Sequence, residues 1–331
     1  MSKEITGQTN IRTTVIIPNY NGRKYLPDCL HALKQQTVSD FQVCVVDNGS
    51  TDGSKDLDPS DYPEFRLTVI PLKENIGFAG AVNEGIRKTE SPYVILLNND
   101  TAVKKNFIEK LVEAIDNKKD VFACQAKMIS MKDPEKLDSA GDLFCALGWA
   151  FSLGRDRPVG TYCRDTKIFS ACAGAAVYRR DLLEKLGLFD ERHFCYLEDV
   201  DLSYRAALCG YSCRFAPEAV AEHAGSASSG SRHNAFKVRL SARNTIFLIY
   251  KNMPPVQILF NLPFLIAGQL IKLLYFTRKG LTREYIGGVR EGFRLCASSG
   301  KEARAWSKAG KGQLLRLQGA LLVNTVRRIT G

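Results

Sequence analysis

Two clusters of oxygen-bearing side chains have the composition of chemical sites, and the first is Asn98-Asn99-Asp100. It directly follows the apolar run Tyr93–Leu97, which predicts a buried strand. A carboxylate at the end of such a strand suits Mg²⁺ or Mn²⁺, because these hard cations are usually shared between a protein carboxylate and substrate phosphates. The alternative is a turn in which Asp100 caps a helix that begins near Lys104. The sequence therefore predicts either a metal ligand or a helix cap at Asp100.

The second cluster is Glu198-Asp199-Val200-Asp201, which places three carboxylates in one turn at the start of a predicted helix. Acidic side chains there could simply complement the helix dipole, an effect of about 0.3–1 kcal/mol each. The three charges repel one another, however, and the preceding residues 194–197 are aromatic or apolar. A carboxylate beside apolar walls can have a raised pKa and act as a general base. The cluster is therefore a candidate for the catalytic base.

His223 is a weaker candidate, and it comes just before a Ser- and Gly-rich segment, residues 226–231, that we predict to be a mobile loop. A lone histidine is more often structural or solvated than a ligand. If it binds a metal, a neutral imidazole suits Mn²⁺ better than Mg²⁺.

The elements that must position these side chains follow from the pattern of apolar residues. Apolar runs predict strands at residues 13–17, 41–46, 67–70, 93–97 and 170–178. Amphipathic runs predict helices at residues 25–35, 80–88, 107–115 and 198–208. Continuous apolar strands separated by helices are typical of a parallel sheet that is covered on both faces. We therefore predict an α/β fold, with residues 130–167 as an irregular insertion that could face the substrate.

Polar or turn-forming residues follow four successive predicted strands. They are Pro18-Asn19-Tyr20-Asn21, Asp47-Asn48-Gly49-Ser50-Thr51-Asp52, Asn75-Ile76-Gly77-Phe78 and Asn98-Asn99-Asp100. Turn chemistry alone explains part of this pattern, because Asn, Asp and Gly are common loop residues. In parallel sheets, however, ligands bind beyond the carboxyl ends of the strands. The four clusters together predict a ligand site at that edge.

The carboxyl-terminal part of the chain is strongly basic, with 18 Lys and Arg residues and three acidic residues from Arg232 onward. Residues 254–276 are mostly apolar but are interrupted by polar side chains, so they are a borderline candidate for a membrane-spanning helix. Their basic flank better fits a helix that lies in the interface of an anionic membrane. The alternatives are helices that pack on the catalytic domain or form a homodimer contact. The tail lacks the aromatic and basic platform of a nucleic-acid-binding protein, so we expect no nucleic-acid partner.

The ten cysteines are scattered without a CxxC pair. Cys44, Cys124 and Cys172 lie in apolar runs and are predicted to be buried thiols. Residues 1–10 are polar, which favours a reducing cytoplasm over a secreted location.

In this order, the motifs resemble the family 2 glycosyltransferases with a GT-A fold, and in particular their rhamnosyltransferase-like branch. The resemblance covers about residues 13–254. It is carried by VIIPNYNG at 15–22, VVDNGSTDGS at 45–54, NIGFAG at 75–80, LLNND at 96–100, GA at 174–175, LEDVD at 197–201 and the segment around His223. It implies a Rossmann-like nucleotide-binding domain with a mostly parallel sheet at residues 1–225. A basic, amphipathic helical region at residues 226–331 follows it.

The resemblance also implies a role for each matching residue. The nucleotide-sugar site would include Pro18, Tyr20, Asn21, Asp47 at the pyrimidine edge, Asn75, Gly77, Asn83, Asn98 and Asn99. The metal ligands would be Asp100 and His223. Asp199 would be the catalytic base, and Glu198 and Asp201 would shape its field or hold the acceptor.

One residue departs from the family's DxD motif, because Asn98 stands where its first acid stands. This leaves one carboxylate instead of two, a variant of the rhamnosyltransferase-like branch that favours a dTDP-sugar donor.

The implied activity is metal-dependent, inverting transfer of a sugar to a hydroxyl group of a saccharide in bacterial cell-surface polysaccharide synthesis. The expected donor is dTDP-rhamnose, and the acceptor is expected to be lipid-linked at the inner face of the plasma membrane. Alternatives are a UDP-sugar donor or a non-catalytic nucleotide-binding scaffold, which Asn98 supports and the intact Glu198-Asp199 pair opposes. A Rossmann dehydrogenase is excluded because no GxGxxG follows the first strand.

Overall fold

A computed structural model of the chain describes residues 11–225, 234–300, 305 and 309–330. The predicted mobile loop at residues 226–231 lies outside these residues.

The amino-terminal half alternates strands with helices, as the apolar pattern predicts. Its elements are β1 (Thr13–Asn19), α1 (Leu26–Lys34), β2 (Phe41–Asp47), β3 (Arg66–Pro71), α2 (Gly77–Arg87), β4 (Tyr93–Leu97), β5 (Thr101–Val103) and α3 (Phe107–Ile115). Every predicted strand and helix in this half is confirmed to within a few residues.

The next part of the chain is only partly predicted. Its elements are β6 (Val121–Ser130), β7 (Leu137–Ser139), β8 (Asp142–Phe144), β9 (Ala150–Ser152), β10 (Thr166–Ile168), β11 (Ala175–Arg179), α4 (Arg180–Leu186), α5 (Glu198–Leu208) and β12 (Ser212–His223). The predicted strand at 170–178 begins later, as β11, and the long strands β6 and β12 are additions. The irregular segment at 130–167 contains four short strands.

Most of the strands form one mixed sheet in the order β10-β12-β6-β11-β4-β1-β2-β3, to which β5 and β7 add as partners of β12 and β6. The strands β8 and β9 form a separate two-stranded sheet. The pairs β4-β1, β1-β2, β2-β3 and β12-β6 are parallel, whereas β11 runs antiparallel to both of its neighbours. Because β2 and β4 lie on opposite sides of β1, the strand order reverses at β1. Ligands of open α/β sheets bind at such a reversal, beyond the carboxyl ends of the strands.

Helices cover both faces of the sheet, as predicted. Alternate residues of a strand point to opposite faces, and Val15 packs with α1 and α3 whereas Ile16 packs with α2. On the α1 side, Leu30 and Leu33 are at most 1% exposed, and burial of each such side chain stabilises the fold by about 1.5–3 kcal/mol. The predicted α/β class with a mostly parallel sheet is therefore confirmed.

Four helices complete the described chain: α6 (Ala235–Asn252), α7 (Pro255–Arg278), α8 (Thr282–Ser298) and α9 (Lys311–Thr330). The side-chain amides of Asn261 in α7 and Gln318 in α9 are paired at 2.8 and 2.9 Å. In turn, Asn324 of α9 donates to the carbonyl oxygen of Phe144 in β8 at 3.0 Å. The carboxyl-terminal helices thus pack directly on the sheet-bearing part of the chain.

One helix within the described ranges, α7, is long and apolar enough to cross a membrane by length and composition alone. Only 17% of its most apolar 18-residue window is buried. The buried side carries Gln257, Asn261, Leu265 and Gly268. The outer side exposes large apolar residues, among them Val256, Leu259, Phe260, Leu270 and Leu274.

Candidate functional site

A cleft of about 950 Å³ opens at the reversal of strand order, between the carboxyl ends of β1 and β4 and the start of α5. Among the predicted site residues, those that line it are Pro18, Tyr20, Asn75, Gly77, Asn98, Asn99, Asp100, Glu198, Asp199 and His223. The structure therefore brings the predicted metal ligands and the predicted base together in one cavity.

Four predicted site residues, namely Asn21, Asp47, Asn83 and Asp201, do not line this cleft. Asp47 is 1% exposed and lies behind it, where it accepts hydrogen bonds from Asn19 Nδ2 at 3.0 Å and from the Ser50 backbone at 3.0 Å. Asn21 has a φ of +51°, and its Oδ1 atom accepts a hydrogen bond from the Thr51 backbone at 2.8 Å. Both residues shape the loops beyond β1 and β2.

Asn83 and Asp201 are also held by protein partners. Asn83 of α2 donates to the carbonyl oxygen of Phe189 at 2.8 Å and accepts from the Phe189 amide at 3.1 Å. Its side chain therefore fixes the segment that leads to α5 and does not line the cleft. Asp201 is fully buried in a charged network that is described below.

The floor of the cleft is a hydrogen-bonded set of amides and carboxylates. Asn99 Nδ2 donates to Asn19 Oδ1 at 2.8 Å, and Asn19 in turn donates to Asp47 and Ser54. These contacts connect the ends of β4, β1 and β2, so the asparagines of the two predicted clusters are held in fixed orientations.

Gly77 brings the start of α2 against the segment before α5. Its φ is +85°, and a Cβ atom at this position would lie 2.5 Å from the carbonyl oxygen of Phe194. That carbonyl accepts a hydrogen bond from the Ala79 amide at 3.1 Å. Only glycine permits both the left-handed conformation and this close approach. Asn75 Oδ1 accepts from the Gly77 amide at 2.9 Å and so supports the same turn.

Asp100, His223 and Asp138 form the candidate metal site. His223 Nε2 lies 3.3 Å from Asp100 Oδ1, and His223 Nδ1 lies 2.8 Å from Asp138 Oδ2. Burial would lower the pKa of His223, but its hydrogen bonds to Asp100 and Asp138 raise it to about 9. Asp100 Oδ1 and His223 Nε2 therefore converge on one point of the cleft. A divalent cation would bind there in place of an imidazole proton, and Asp138 would orient the imidazole through its other nitrogen, as carboxylates do in metal sites.

The fit of these residues to Mg²⁺ or Mn²⁺ is good, because the donor set combines a carboxylate with a neutral imidazole and leaves room for phosphate oxygens. No sequence pattern points to Asp138 as a site residue, because it lies in a short strand of the irregular insertion with no motif around it.

Asp199, the predicted base, faces a second carboxylate that the sequence does not reveal. Oxygen atoms of Asp199 and Asp142 and the sulfur of Cys172 all lie within 4.8 Å of one another. Burial, and then the charge of Asp142, raise the pKa of Asp199 to about 7. The Oδ1 atom of Asp142 is buried and has no hydrogen-bond partner among the described residues. The set could also hold a cation, but a carboxylate with a pKa near neutrality is suited to accept a proton.

Glu198 is buried beside Asp199, with an exposed fraction of 6%. Burial, and then the charge of Asp199, raise the pKa of Glu198 well above its usual range. Its Oε2 atom has no hydrogen-bond partner in the described part of the chain.

The segment that leads into α5 adopts an unusual backbone conformation. Phe194, Tyr196 and Leu197 have φ values of +62°, +70° and +67°. Non-glycine residues in such conformations cost about 1–3 kcal/mol each and persist only where neighbouring structure enforces them. Asn244 of α6 supplies that structure, because its Nδ2 atom lies 2.9 Å from the carbonyl oxygens of both His193 and Cys195 and 2.7 Å from that of Tyr196.

Asp201 is the centre of a buried ionic network between α5 and α6. It accepts hydrogen bonds from Lys251 Nζ at 2.8 Å, Arg205 Nε at 2.9 Å and Asn252 Nδ2 at 2.8 Å. Lys251 also donates to Asp190 at 2.6 Å. Burial alone would raise the pKa of Asp201, but Lys251 and Arg205 hold it well below its usual range. The network fixes the helix that begins with Glu198 and Asp199.

The chain is similar in sequence to known glycosyltransferases. The family model Glycosyl transferase family 2 matches residues 14–187. TuaG of Bacillus subtilis, a glycosyltransferase by name, is 32% identical over 126 residues, which are 38% of this chain and 50% of TuaG. The N-acetylglucosaminyl-diphospho-decaprenol L-rhamnosyltransferase of Mycobacterium tuberculosis is 27% identical over 248 residues, which are 65% of this chain and 77% of that protein. The chain thus spans only half the length of TuaG.

The structure resembles the mannosyltransferase PcManGT from Pyrobaculum calidifontis, solved in complex with GDP-Man and Mn²⁺. The TM-score is 0.53 at 19% identity, over 96% of this chain and 87% of that chain, which supports a shared fold. Because the family model covers more than half of the chain, the protein belongs to glycosyl transferase family 2.

Proposed function

We propose that the protein transfers a sugar from a nucleotide-diphosphate donor to a hydroxyl group of a saccharide, with inversion at the anomeric carbon. The observation that carries this proposal is that Asp100, His223 and Asp199 line a single cleft, which opens where the strand order of the sheet reverses. The carboxylate and imidazole of Asp100 and His223 suit a cation that stabilises the leaving diphosphate. The half-buried carboxylate of Asp199, with its pKa raised to about 7, suits activation of the nucleophile.

Asp199 takes the proton of the acceptor hydroxyl as its oxygen attacks C1 of the donor sugar. The new C–O bond forms on the face opposite the diphosphate while the bond from C1 to the diphosphate oxygen breaks, so the configuration inverts. General-base help of this kind contributes about 10²–10⁴-fold. Asp100 and His223 would hold Mg²⁺ or Mn²⁺, which supplies the positive charge that offsets charge developing on the leaving group.

For the donor we propose dTDP-rhamnose, and for the acceptor a lipid-linked saccharide of cell-surface polysaccharide synthesis. The name of the mycobacterial relative, a rhamnosyltransferase that acts on a diphospho-decaprenol sugar, supports both assignments. Asn98 in place of the first acid of DxD supports the donor. A UDP-sugar donor is the alternative, and a comparison of dTDP-rhamnose with UDP-glucose and UDP-N-acetylglucosamine as donors distinguishes them.

The test is release of dTDP from dTDP-rhamnose in the presence of N-acetylglucosaminyl-diphospho-farnesol, with the product anomer assigned by NMR. We expect turnover that requires Mg²⁺ or Mn²⁺ and an inverted product. Asp199→Asn should reduce turnover by about 10²–10⁴-fold while the affinity for dTDP stays close to that of the wild type. Nucleotide binding without turnover on any donor would instead favour the non-catalytic scaffold.

We further propose that the protein works in the cytoplasm at the inner face of the plasma membrane. The outer side of α7 supports this, because it exposes Leu259 (71%), Leu270 (54%) and Leu274 (63%) in a strongly basic part of the chain. Such helices bind anionic membranes by combining apolar burial with electrostatic attraction. Flotation with phosphatidylglycerol vesicles should be lost in Leu259→Gln/Leu270→Gln/Leu274→Gln and kept in Met131→Gln, an exposed apolar residue remote from α7 in sequence. Equal flotation of both variants would contradict membrane binding through α7.

A further inference from the structure

A second cavity, of about 1160 Å³, lies between β9 with the loop that follows it and the helices α6 to α9. Its described lining includes seven Lys or Arg side chains and a single carboxylate, Asp156. Phe151, Arg155, Tyr196 and Lys237 line both this cavity and the cleft that contains Asp199. The two spaces are therefore contiguous, and the second is electropositive.

Three of the cavity's cations lie on the helices α7 and α9. Lys272 Nζ is 5.8 Å from the ring centroid of Trp149, and the Arg328 guanidinium is 5.9 Å from the same ring and 5.6 Å from that of Phe151. Arg327 lines the same space. Within the described ranges, none of the three forms a salt bridge with a carboxylate. Burial, and then the charge of Arg328, lower the pKa of Lys272 to about 8.

No carboxylate of the described residues offsets this concentration of positive charge through a salt bridge. Lys272 and Arg328 share one aromatic ring, and like charges at such a distance repel one another. An anion with several acceptor oxygens would satisfy them together, since charge-assisted hydrogen bonds to phosphate are among the strong ones.

We propose that this cavity binds the diphosphate of a prenyl-diphosphate-linked acceptor, with Lys272, Arg327 and Arg328 as the phosphate-binding residues. The proposal rests on the proposed glycosyltransferase function, because the cavity leads into the cleft where the sugar end of the acceptor must meet Asp199. The helix α7 would also guide the lipid chain from the cavity to the membrane surface. Lys272 and Phe276 face the cavity, while Leu270 and Leu274 on the same helix are exposed on the apolar side of α7.

The alternative source of phosphate is the headgroup of an ordinary anionic lipid. A diphosphate carries more charge and more acceptor oxygens than a phosphodiester headgroup, so a cavity lined by Lys272, Arg327 and Arg328 should prefer it. Farnesyl diphosphate, which is soluble and has a short prenyl chain, is therefore the probe, and phosphatidylglycerol vesicles represent the alternative.

Trp149 provides a direct signal, because it contacts two of the proposed phosphate-binding cations. The chain has two tryptophans, so Trp306→Phe in the full-length protein leaves Trp149 as the only one. In this background we expect farnesyl diphosphate to change the fluorescence in a saturable, salt-sensitive manner. Farnesyl monophosphate should bind more weakly, by about ten-fold for each charge-assisted contact that is lost.

The variants Arg327→Gln/Arg328→Gln and, separately, Lys272→Met should weaken farnesyl diphosphate binding by at least about ten-fold for each charge removed. The matched control is Arg290→Gln/Arg294→Gln, which removes two exposed charges of α8 that do not line the cavity. It should bind like the parent protein. An unchanged melting temperature shows that each variant is folded.

Calorimetric titration with dTDP and Mn²⁺ in the same proteins separates this inference from the proposed function. Retained dTDP binding with no binding of farnesyl diphosphate would overturn the acceptor site and leave the glycosyltransferase proposal standing. Equal weakening of farnesyl diphosphate binding in the α8 control would also overturn the acceptor site. So would vesicle binding that depends on Arg327 and Arg328 in a protein that does not bind farnesyl diphosphate.

Discussion

The Nδ2 atom of Asn244 in α6 lies 2.7 Å from the carbonyl oxygen of Tyr196, three residues before Asp199. The same atom contacts the carbonyl oxygens of His193 and Cys195. A helix that follows the sheet in sequence therefore holds the strained segment that delivers the predicted base to the cleft. We infer that α6 belongs functionally to the catalytic unit.

Replacement of Asn244 by alanine should impair catalysis without removing any group that touches the substrate. The loss of a donor to buried carbonyl oxygens should lower the free energy of unfolding by about 1–3 kcal/mol. It should also lower kcat more than it weakens dTDP binding, because most of the proposed nucleotide-binding residues lie beyond the strands β1 and β4 and not on the segment that Asn244 holds. Thr245→Val is the matched control, since Thr245 is equally buried on α6 and its hydroxyl donates within the helix to Ser241. Unchanged kcat in Asn244→Ala would show that the segment holds its conformation without this contact.

Lys251→Met should destabilise the fold strongly, because it leaves Asp190 and Asp201 without a shared buried cation. Removal of one member of a buried ionic network typically costs about 3–5 kcal/mol. Lys118→Met, which breaks an exposed pair with Asp165, should cost at most about 1 kcal/mol. Urea denaturation of the two variants at neutral pH measures the difference. Similar losses in both would contradict a central role for the network.

The same network predicts the response to acid. The pKa values of Asp190 and Asp201 are lower in the folded protein than their ordinary value of 3.8. Their stabilising contribution is therefore complete above about pH 5 and decreases as the pH falls below it, since the unfolded chain then binds more protons. The stability of Lys251→Met should decline less steeply with acid than that of the wild type. Parallel curves from pH 5 to pH 2 would contradict this account.

Asp142 should set the pH dependence of turnover through Asp199. Because the pKa of Asp199 is raised to about 7, activity should increase as the pH rises through neutrality and the base loses its proton. Asp142→Asn removes a neighbouring negative charge, so the rising limb of kcat against pH should move to lower pH. Asp165→Asn, at an exposed and remote carboxylate, should leave the limb in place. A limb that does not move in Asp142→Asn would show that the two carboxylates do not interact.

Asp138 should control metal affinity although it is not itself expected to be a metal ligand. Asp138→Asn weakens the orientation of His223, and loss of such a partner typically reduces metal affinity about 10–100-fold. The readout is the Mn²⁺ concentration that gives half-maximal dTDP binding. Asp133→Asn, at an exposed turn of the same insertion, is the control. Equal Mn²⁺ requirements in the two variants would exclude Asp138 from the metal site.

Sequence patterns predict the parts of the site that depend on local order. Asp100 comes shortly after a predicted strand and Asp199 lies in the first turn of a predicted helix, and both line the cleft. Asn83 and Asp47 match the family motifs equally well, yet in the structure their polar atoms form hydrogen bonds with other residues of the protein. Sequence patterns do not predict this, because burial and hydrogen-bond partners depend on the tertiary structure. Motif position identifies the neighbourhood of a residue but not the direction of its side chain.

The unpredicted parts depend on contacts between distant segments. Asp138 and Asp142 lie in three-residue strands, which are too short for an alternating pattern. The strand β12, which carries His223, contains Pro217 and Glu218 and has an irregular register between Ala216 and Val220. Asn244 is a polar residue on the buried side of an otherwise ordinary helix. Nothing in the local sequence reveals that it binds three carbonyl oxygens from another segment.

Calorimetric titration of the full-length protein with dTDP, UDP and GDP, with and without Mn²⁺ or Mg²⁺, tests most directly whether the cleft is a metal-dependent nucleotide-sugar site. We predict metal-dependent binding of dTDP, weaker binding of GDP, and loss of the metal dependence in Asp100→Asn/His223→Ala. If none of the nucleotides binds to the folded protein in the presence of metal, the cleft is not a nucleotide-sugar site and the protein is not the proposed glycosyltransferase.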